Sequence, residues 1–207
     1  MNFPTKDSLE LSSFLSGYSD AIQKGFESLD IKTLTGVANA LDIAFKNKNT
    51  IYTCGNGGST AISEHFVCDY LKMTSTGTNI QPIFHSLSSN VPTLTAIAND
   101  IGYEDTFSFQ LERFGQDEDI LLCVSSSGNS PNIVKAIQIA KKKNIKSISF
   151  VGFNGGEAKK ISDYCIHIPS INYGIVEDMH HSLMHMLAQY IRLINLEDKD
   201  NIETTIF

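Results

Sequence analysis

Several common protein classes are excluded by what this sequence lacks. Nowhere do 18 apolar residues run together, so no segment reads as a membrane-spanning helix. The first residues, MNFPTKDSLELSSF, contain no basic stretch leading into a continuous apolar one, so no secretory leader is expected and the expected location is the cytoplasm. Basic residues are in the minority. Sixteen Lys and Arg against 23 Asp and Glu leave a net charge of −7, which argues against nonspecific nucleic-acid binding. No polybasic run marks a membrane surface, and no low-complexity segment or solenoid-period repeat is present. The four cysteines, Cys54, Cys68, Cys123 and Cys165, stand far apart with no C-x-x-C pair, so they are expected to be reduced core thiols and not zinc ligands. The P-loop pattern G-x-x-x-x-G-K-[ST] is missing. Gly55-Asn56-Gly57 starts like a dinucleotide fingerprint, but Thr60 occupies the third glycine position and the fingerprint fails.

What is present is an alternation of short apolar runs with longer amphipathic ones. At 207 residues the chain is long enough for a full core without staples. In residues 8–48, Leu9, Leu11, Phe14, Leu15, Tyr18, Ile22 and Phe26 recur at three and four, and Asp30 is a start signal for a second helix. Strands are predicted at 50–55, 80–86, 119–125, 146–152 and 164–169, all without strict alternation, as suits strands buried on both faces. Helices are predicted at about 59–73, 90–100, 103–114, 130–143, 155–163 and 174–196. This order indicates an α/β fold with a mostly parallel sheet covered by helices on both faces. The chain reads as one domain over 1–207, with an N-terminal helical arm at 1–48 for packing or oligomer formation and an α/β core at 49–197.

Three predicted strands end in loops of Gly, Ser and Asn: CGNGGST (54–60), SSSGNSPN (125–132) and VGFNGGEA (151–158). Ligands of open parallel sheets bind at the carboxyl ends of the strands, where helix N-termini expose unpaired N–H groups. In the second loop Ser125, Ser126, Ser127 and Ser130 offer hydroxyls, Gly128 allows close backbone approach, and Pro131 suits the first helical position after a Ser130 cap. One such loop alone is more often an ordinary turn. With a helix N-terminus behind them, these hydroxyls form a phosphate cradle that needs no lysine.

A second group of residues could bind metal. His65 and Asp69 share one helix face at i,i+4, and Glu177, Asp178, His180, His181 and His185 crowd the start of the last helix. A lone histidine is more often a core or surface residue, but five such groups in nine positions are not a lone residue. The two sets could meet around a divalent metal such as zinc. Glu177 and His185 are eight residues apart, about 12 Å of helical rise, so by spacing alone His181 and His185 make the better pair. His85 and His167 carry no expected role.

Four segments in order, GNGGST with HF (55–66), ANDIGYEDTFSFQLE (98–112), SSSGNSPNIVKAI (125–137) and NYGIVEDMHHSLMH (172–185), resemble the sugar isomerase (SIS) superfamily. Within it they are most similar to the phosphoheptose isomerases, over nearly the whole chain. The resemblance implies a SIS-type fold, a five-stranded parallel sheet flanked by helices, assembled as a homotetramer with sites at subunit interfaces. It implies a sugar-phosphate substrate whose phosphate is held by Ser125, Ser127 and Ser130 and whose sugar is lined by Asn56, Gly57, Gly58, Ser59, Asn99, Asp100 and Glu177. It further implies one zinc per subunit at His65, Asp69, Glu177 and His185. Asp69 and His185 would be the acid–base pair that moves a proton between C1 and C2 of sedoheptulose 7-phosphate through an enediol, giving D-glycero-D-manno-heptose 7-phosphate for lipopolysaccharide or capsule.

Two of these positions depart from the usual pattern: Asp69 stands for Glu and Glu177 for Gln. The shorter carboxylate at 69 is pulled back by one methylene, and an ångström of misplacement can cost about 100-fold in rate. The departures favour, as the rival reading, an isomerase of a different ketose or aldose phosphate. A non-catalytic relative that binds the replication initiator would have eroded these positions, and His65, His185 and both carboxylates are present. A sugar-phosphate sensor domain would normally be fused to a DNA-binding module, and the first 50 residues show no basic recognition face.

Overall fold

The computed structural model describes residues 3–200 and 202. Two helices come first, α1 (Leu11–Glu27) and α2 (Ile31–Asn47), the second opened by Asp30, whose carboxylate accepts from the backbone N–H groups of Lys32 and Thr33. Strands and helices then alternate: β1 (Thr50–Gly55), α3 (Gly58–Lys72), β2 (Ile83–Ser86), α4 (Val91–Asp100), a 3-10 turn (Tyr103–Asp105), α5 (Ser108–Phe114), β3 (Ile120–Ser125), α6 (Pro131–Lys142), β4 (Lys146–Val151), α7 (Ala158–Ile161), β5 (Tyr164–His167) and α8 (Tyr173–Ile194). All strand pairs are parallel, in the order β2-β1-β3-β4-β5. The predicted α/β sheet of five parallel strands is the observed one.

Burial on both faces explains the strand sequences. In β3, Ile120, Leu122 and Val124 enter one hydrophobic cluster while Leu121 and Cys123 enter the other. The first cluster lies under α2, α3 and α8 and is filled by Phe45, Phe66, Tyr70, Phe84 and Phe150. The second lies under α5 and α6 around Phe107, Leu111, Ile133 and Ile137. Helix α2 is therefore part of the core, since Val37 and Leu41 are fully buried in the first cluster. Helix α1 is more peripheral. It is tied to α8 by the Tyr18 hydroxyl, which donates to Asp178 Oδ2 at 2.5 Å, while Leu11 and Leu15 stay exposed.

Three boundaries differ from the sequence reading. The helix expected over 103–114 is a 3-10 turn followed by α5, because the Thr106 hydroxyl bonds back to the Tyr103 carbonyl and competes with helical pairing. The helix expected over 155–163 shrinks to α7, because Gly155 and Gly156 both take positive φ in the preceding turn. Strand β2 starts only at Ile83, after Pro82, which has no N–H to give a ladder. The thiol expectation also needs correction. All four cysteines are free, but only Cys54 and Cys123 are buried, whereas Cys165 is half-buried and Cys68 lies exposed on α3. Among the described residues no helix is long and apolar enough to cross a membrane.

Candidate active site

The chain leaves β1 outward to β2 and then crosses back to β3, so strand order reverses between β1 and β3. Ligands of such sheets bind at this reversal, beyond the carboxyl ends of the strands. The loops there are 55–58 and 125–130. Gly55 packs against Ser59, whose carbonyl oxygen would lie 2.4 Å from any Cβ, and Gly57 holds φ +55° just before α3 begins. The two loops are joined by Asn56 and Asn132, whose amides donate to each other's oxygens at 2.9 Å, and Tyr103 donates its hydroxyl to Asn56 Oδ1 at 2.8 Å. Asn132 and Tyr103 escaped the sequence reading, although both stand in the quoted segments. Nothing in composition or spacing distinguishes an amide that bridges two loops. Asn99 and Asp100 sit exposed at the end of α4, Asn99 donating to Asp100 at 2.8 Å, and the turn that follows them brings Tyr103 to Asn56.

The serine loop is held by backbone contacts with the third loop. Gly128, at φ +64°, has Gly155 O only 2.1 Å from where a Cβ would lie, so glycine is required there on two counts. Gly152 N donates to Ser126 O at 2.9 Å and Ala158 N to Gly128 O at 2.9 Å. Within the loop Ser125 Oγ accepts from Gly128 N and Ser127 Oγ from Asn129 N, each at 3.2 Å. Ser126 Oγ is buried without a hydrogen-bond partner. Ser130 stands at the cap position of α6 as expected, with Pro131 following, but its side chain makes no capping bond. Pro131 has no N–H and the Ile133 N–H donates to Asn132 Oδ1 at 3.0 Å, so the uncommitted group here is the Ser130 hydroxyl. Such an arrangement suits a phosphate.

Across the site α3 and α8 pack together and bring the titratable residues into contact. His185 Nδ1 lies 2.6 Å from Asp69 Oδ2, His65 Nε2 lies 3.3 Å from Asp69 Oδ1, and His65 Nδ1 lies 2.6 Å from His181 Nε2. The His181 and His185 rings stack at 5.3 Å, with His65 edge-on to both. One nitrogen from each of His65, His181 and His185 lies within 4.8 Å of the others, close enough to hold a metal ion. Neutral imidazoles suit zinc. Burial, and then the neighbouring His65 and His185, hold the His181 pKa below the usual histidine value.

The remaining predicted groups fall nearby or elsewhere. Glu177, two turns before His185 on α8, makes no hydrogen bond and reaches the start of α3, where its Oε2 would lie 2.8 Å from a Cβ at Gly58. It therefore faces the sugar loop, while the histidine cluster gathers further along α3. The pairing of His181 with His185, favoured by spacing, is the one the fold brings together. His180 turns the other way, into the core against Phe150, and burial pushes its pKa down to about 4. His85 and His167 lie on β2 and β5, outside the cluster.

Residues 16–152 match the SIS domain family. The phosphoheptose isomerase of Helicobacter pylori strain P12 is 36% identical over 188 residues, covering 89% of this chain and 95% of that protein. The phosphoheptose isomerase of Akkermansia muciniphila is 36% identical over 157 residues, covering 75% and 82%. Among solved structures, the phosphoheptose isomerase of Francisella tularensis superposes with a TM-score of 0.80 at 27% identity, covering 88% of this chain and 96% of that one. That of Neisseria gonorrhoeae gives 0.79 at 26%, covering 87% and 96%. The chain belongs to the SIS-domain phosphoheptose isomerase family.

Proposed function

We propose that this protein is a phosphosugar isomerase that interconverts sedoheptulose 7-phosphate and D-glycero-D-manno-heptose 7-phosphate, a heptose precursor for lipopolysaccharide or capsule. The observation that carries the proposal is the coexistence, at one strand-order reversal, of a serine-rich loop at a helix N-terminus, with the Ser126 and Ser130 hydroxyls uncommitted, and a carboxylate–imidazole cluster. The phosphate would take the hydroxyls of Ser125, Ser127 and Ser130 at the start of α6, with Ser126 beside them. That remote anchoring contributes binding energy to orientation of the reacting carbons. Asn56, Gly57, Gly58 and Ser59 would line the sugar chain, with Asn99 and Asp100 at its open side.

Ketose–aldose isomerisation moves a proton between C1 and C2 and a second one between oxygens. Carboxylates and imidazoles near a metal suit both transfers. Asp69, hydrogen-bonded to His185, and Glu177, facing the sugar loop, are the carboxylates placed for this work. A zinc ion held at the histidine cluster would polarise the carbonyl and stabilise the charge that develops on its oxygen. We propose assembly as a homotetramer in the cytoplasm, through the exposed apolar residues Leu11 and Leu15 of α1 and Tyr190 of α8.

The test is conversion of sedoheptulose 7-phosphate by the purified protein, with and without added zinc, beside an Asp69→Ala variant. Zinc-dependent turnover that vanishes in the variant supports the proposal. Absence of turnover under both conditions moves the reading to another sugar phosphate, which Asp69 in place of Glu and Glu177 in place of Gln already favour as second choice.

A further inference from the structure

The three histidines and Asp69 are arranged more specifically than a loose cluster. Asp69 Oδ2 is hydrogen-bonded to His185 Nδ1 at 2.6 Å, and its Oδ1 lies 3.3 Å from His65 Nε2. A single carboxylate therefore binds one ring and stands beside the second. The nitrogens turned away from Asp69 are His65 Nδ1 and His185 Nε2. The His65 Nδ1 atom lies 2.6 Å from His181 Nε2, so these two nitrogens converge on one point. A ligand role for Asp69 would require giving up its hydrogen bond to His185 or its place beside His65. A ligand role for Glu177 would require drawing its carboxylate away from Gly58.

We propose that His181 is a metal ligand in this chain, completing a three-imidazole set with His65 and His185, and that Asp69 stands behind the set, hydrogen-bonded to His185 and beside His65. This differs from the set implied by resemblance, which takes its oxygen ligands from positions 69 and 177. The length of the side chain at 69 fits the difference. A carboxylate shortened by one methylene stays back at the ring nitrogens, and His181 supplies the ligand it leaves missing. Carboxylate–histidine–metal arrangements of this kind fix ring orientation and tautomer. Two nitrogens bound to one tetrahedral zinc lie about 3.3 Å apart, as follows from Zn–N distances near 2.0–2.1 Å. Loading therefore asks His65 and His181 to separate by less than about 1 Å and His181 to carry its hydrogen on Nδ1. Glu177 is then outside the ligand set, its carboxylate left facing the sugar loop.

The inference builds on the metal-assisted reading above, but its test reads metal and not turnover, so the two can fail separately. Metal-free full-length protein is titrated with zinc against a chromophoric chelator, and with cobalt to follow visible absorption. His181→Ala is expected to weaken zinc by more than about 100-fold and to lower the cobalt absorption. Asp69→Asn is expected to weaken zinc by about 10- to 100-fold, the range for an outer partner, and Glu177→Gln to bind as the parent does. His181→Gln replaces His181→Ala if the latter fails to fold by circular dichroism. Parent-like zinc affinity in the His181 variant overturns the proposal, as does a loss of 100-fold or more in Glu177→Gln.

Discussion

Asn56 and Asn132 face each other across the reversal between β1 and β3, each side-chain amide donating to the other's oxygen at 2.9 Å. Asn132 is 1% exposed, so its partner cannot be replaced by water without rearrangement. Removing one member leaves a polar group unsatisfied, at a cost of about 1–3 kcal/mol. Asn132→Ala is therefore expected to lower stability in urea by that amount. Because the pair also fixes the sugar loop relative to the serine loop, KM for the sugar phosphate should rise as well. A variant with parent-like stability would show that the amide pair contributes nothing to joining the loops.

Ser130 offers a sharper separation of binding from folding. A capping serine changed to alanine usually costs about 1 kcal/mol. Here the hydroxyl makes no capping bond, so Ser130→Ala should leave the ligand-free melting temperature almost unchanged. The rise in melting temperature produced by inorganic phosphate or by the sugar phosphate should shrink or vanish. A large loss of ligand-free stability with an intact phosphate shift would show that the hydroxyl serves the helix instead.

These two residues also mark how far the sequence could be read. Ser130 was legible because Ser-Pro at the end of an apolar run is a helix start with its own chemistry, and the same logic located every strand and the Gly-rich loops. Asn132 was not, because its importance lies in a partner 76 positions away. The histidines fall between these cases. Spacing of four put His181 and His185 on one face, but which ring of the His180–His181 pair enters the core depends on where Phe150 packs. Cys68 was misjudged because α3 buries Phe66 and Tyr70 on one side only, and no apolar run reveals which side a cysteine takes.

Gly58 tests where Glu177 points. A Cβ there would lie 2.8 Å from Glu177 Oε2, the far end of a flexible side chain, so it can be accommodated by moving the carboxylate and not the backbone. At the first position of α3, alanine is also the better helix former, by up to about 1 kcal/mol. Gly58→Ala is thus expected to keep or slightly raise thermal stability while lowering kcat at least tenfold. Equal kcat in both proteins would mean that the carboxylate has no fixed duty opposite this loop.

His180 gives a pH dependence whose sign follows from burial. The ring is 0% exposed and its pKa is pushed down to about 4, against about 6.5 in the unfolded chain. Between those values the unfolded chain binds the proton and the folded one does not, so stability rises with pH there. The contribution is complete above about pH 6.5 and is lost as pH falls toward 4. Over pH 7 to 5 it amounts to about 2 kcal/mol, at about 1.4 kcal/mol per unit. The comparison must be differential, so that only the His180 contribution is read. His180→Met keeps the volume close and removes the titrating ring, and its stability in urea should fall by about 2 kcal/mol less than the parent's between pH 7 and 5. Parallel losses in the two proteins would show that the ring is protonated in the fold despite its burial against Phe150.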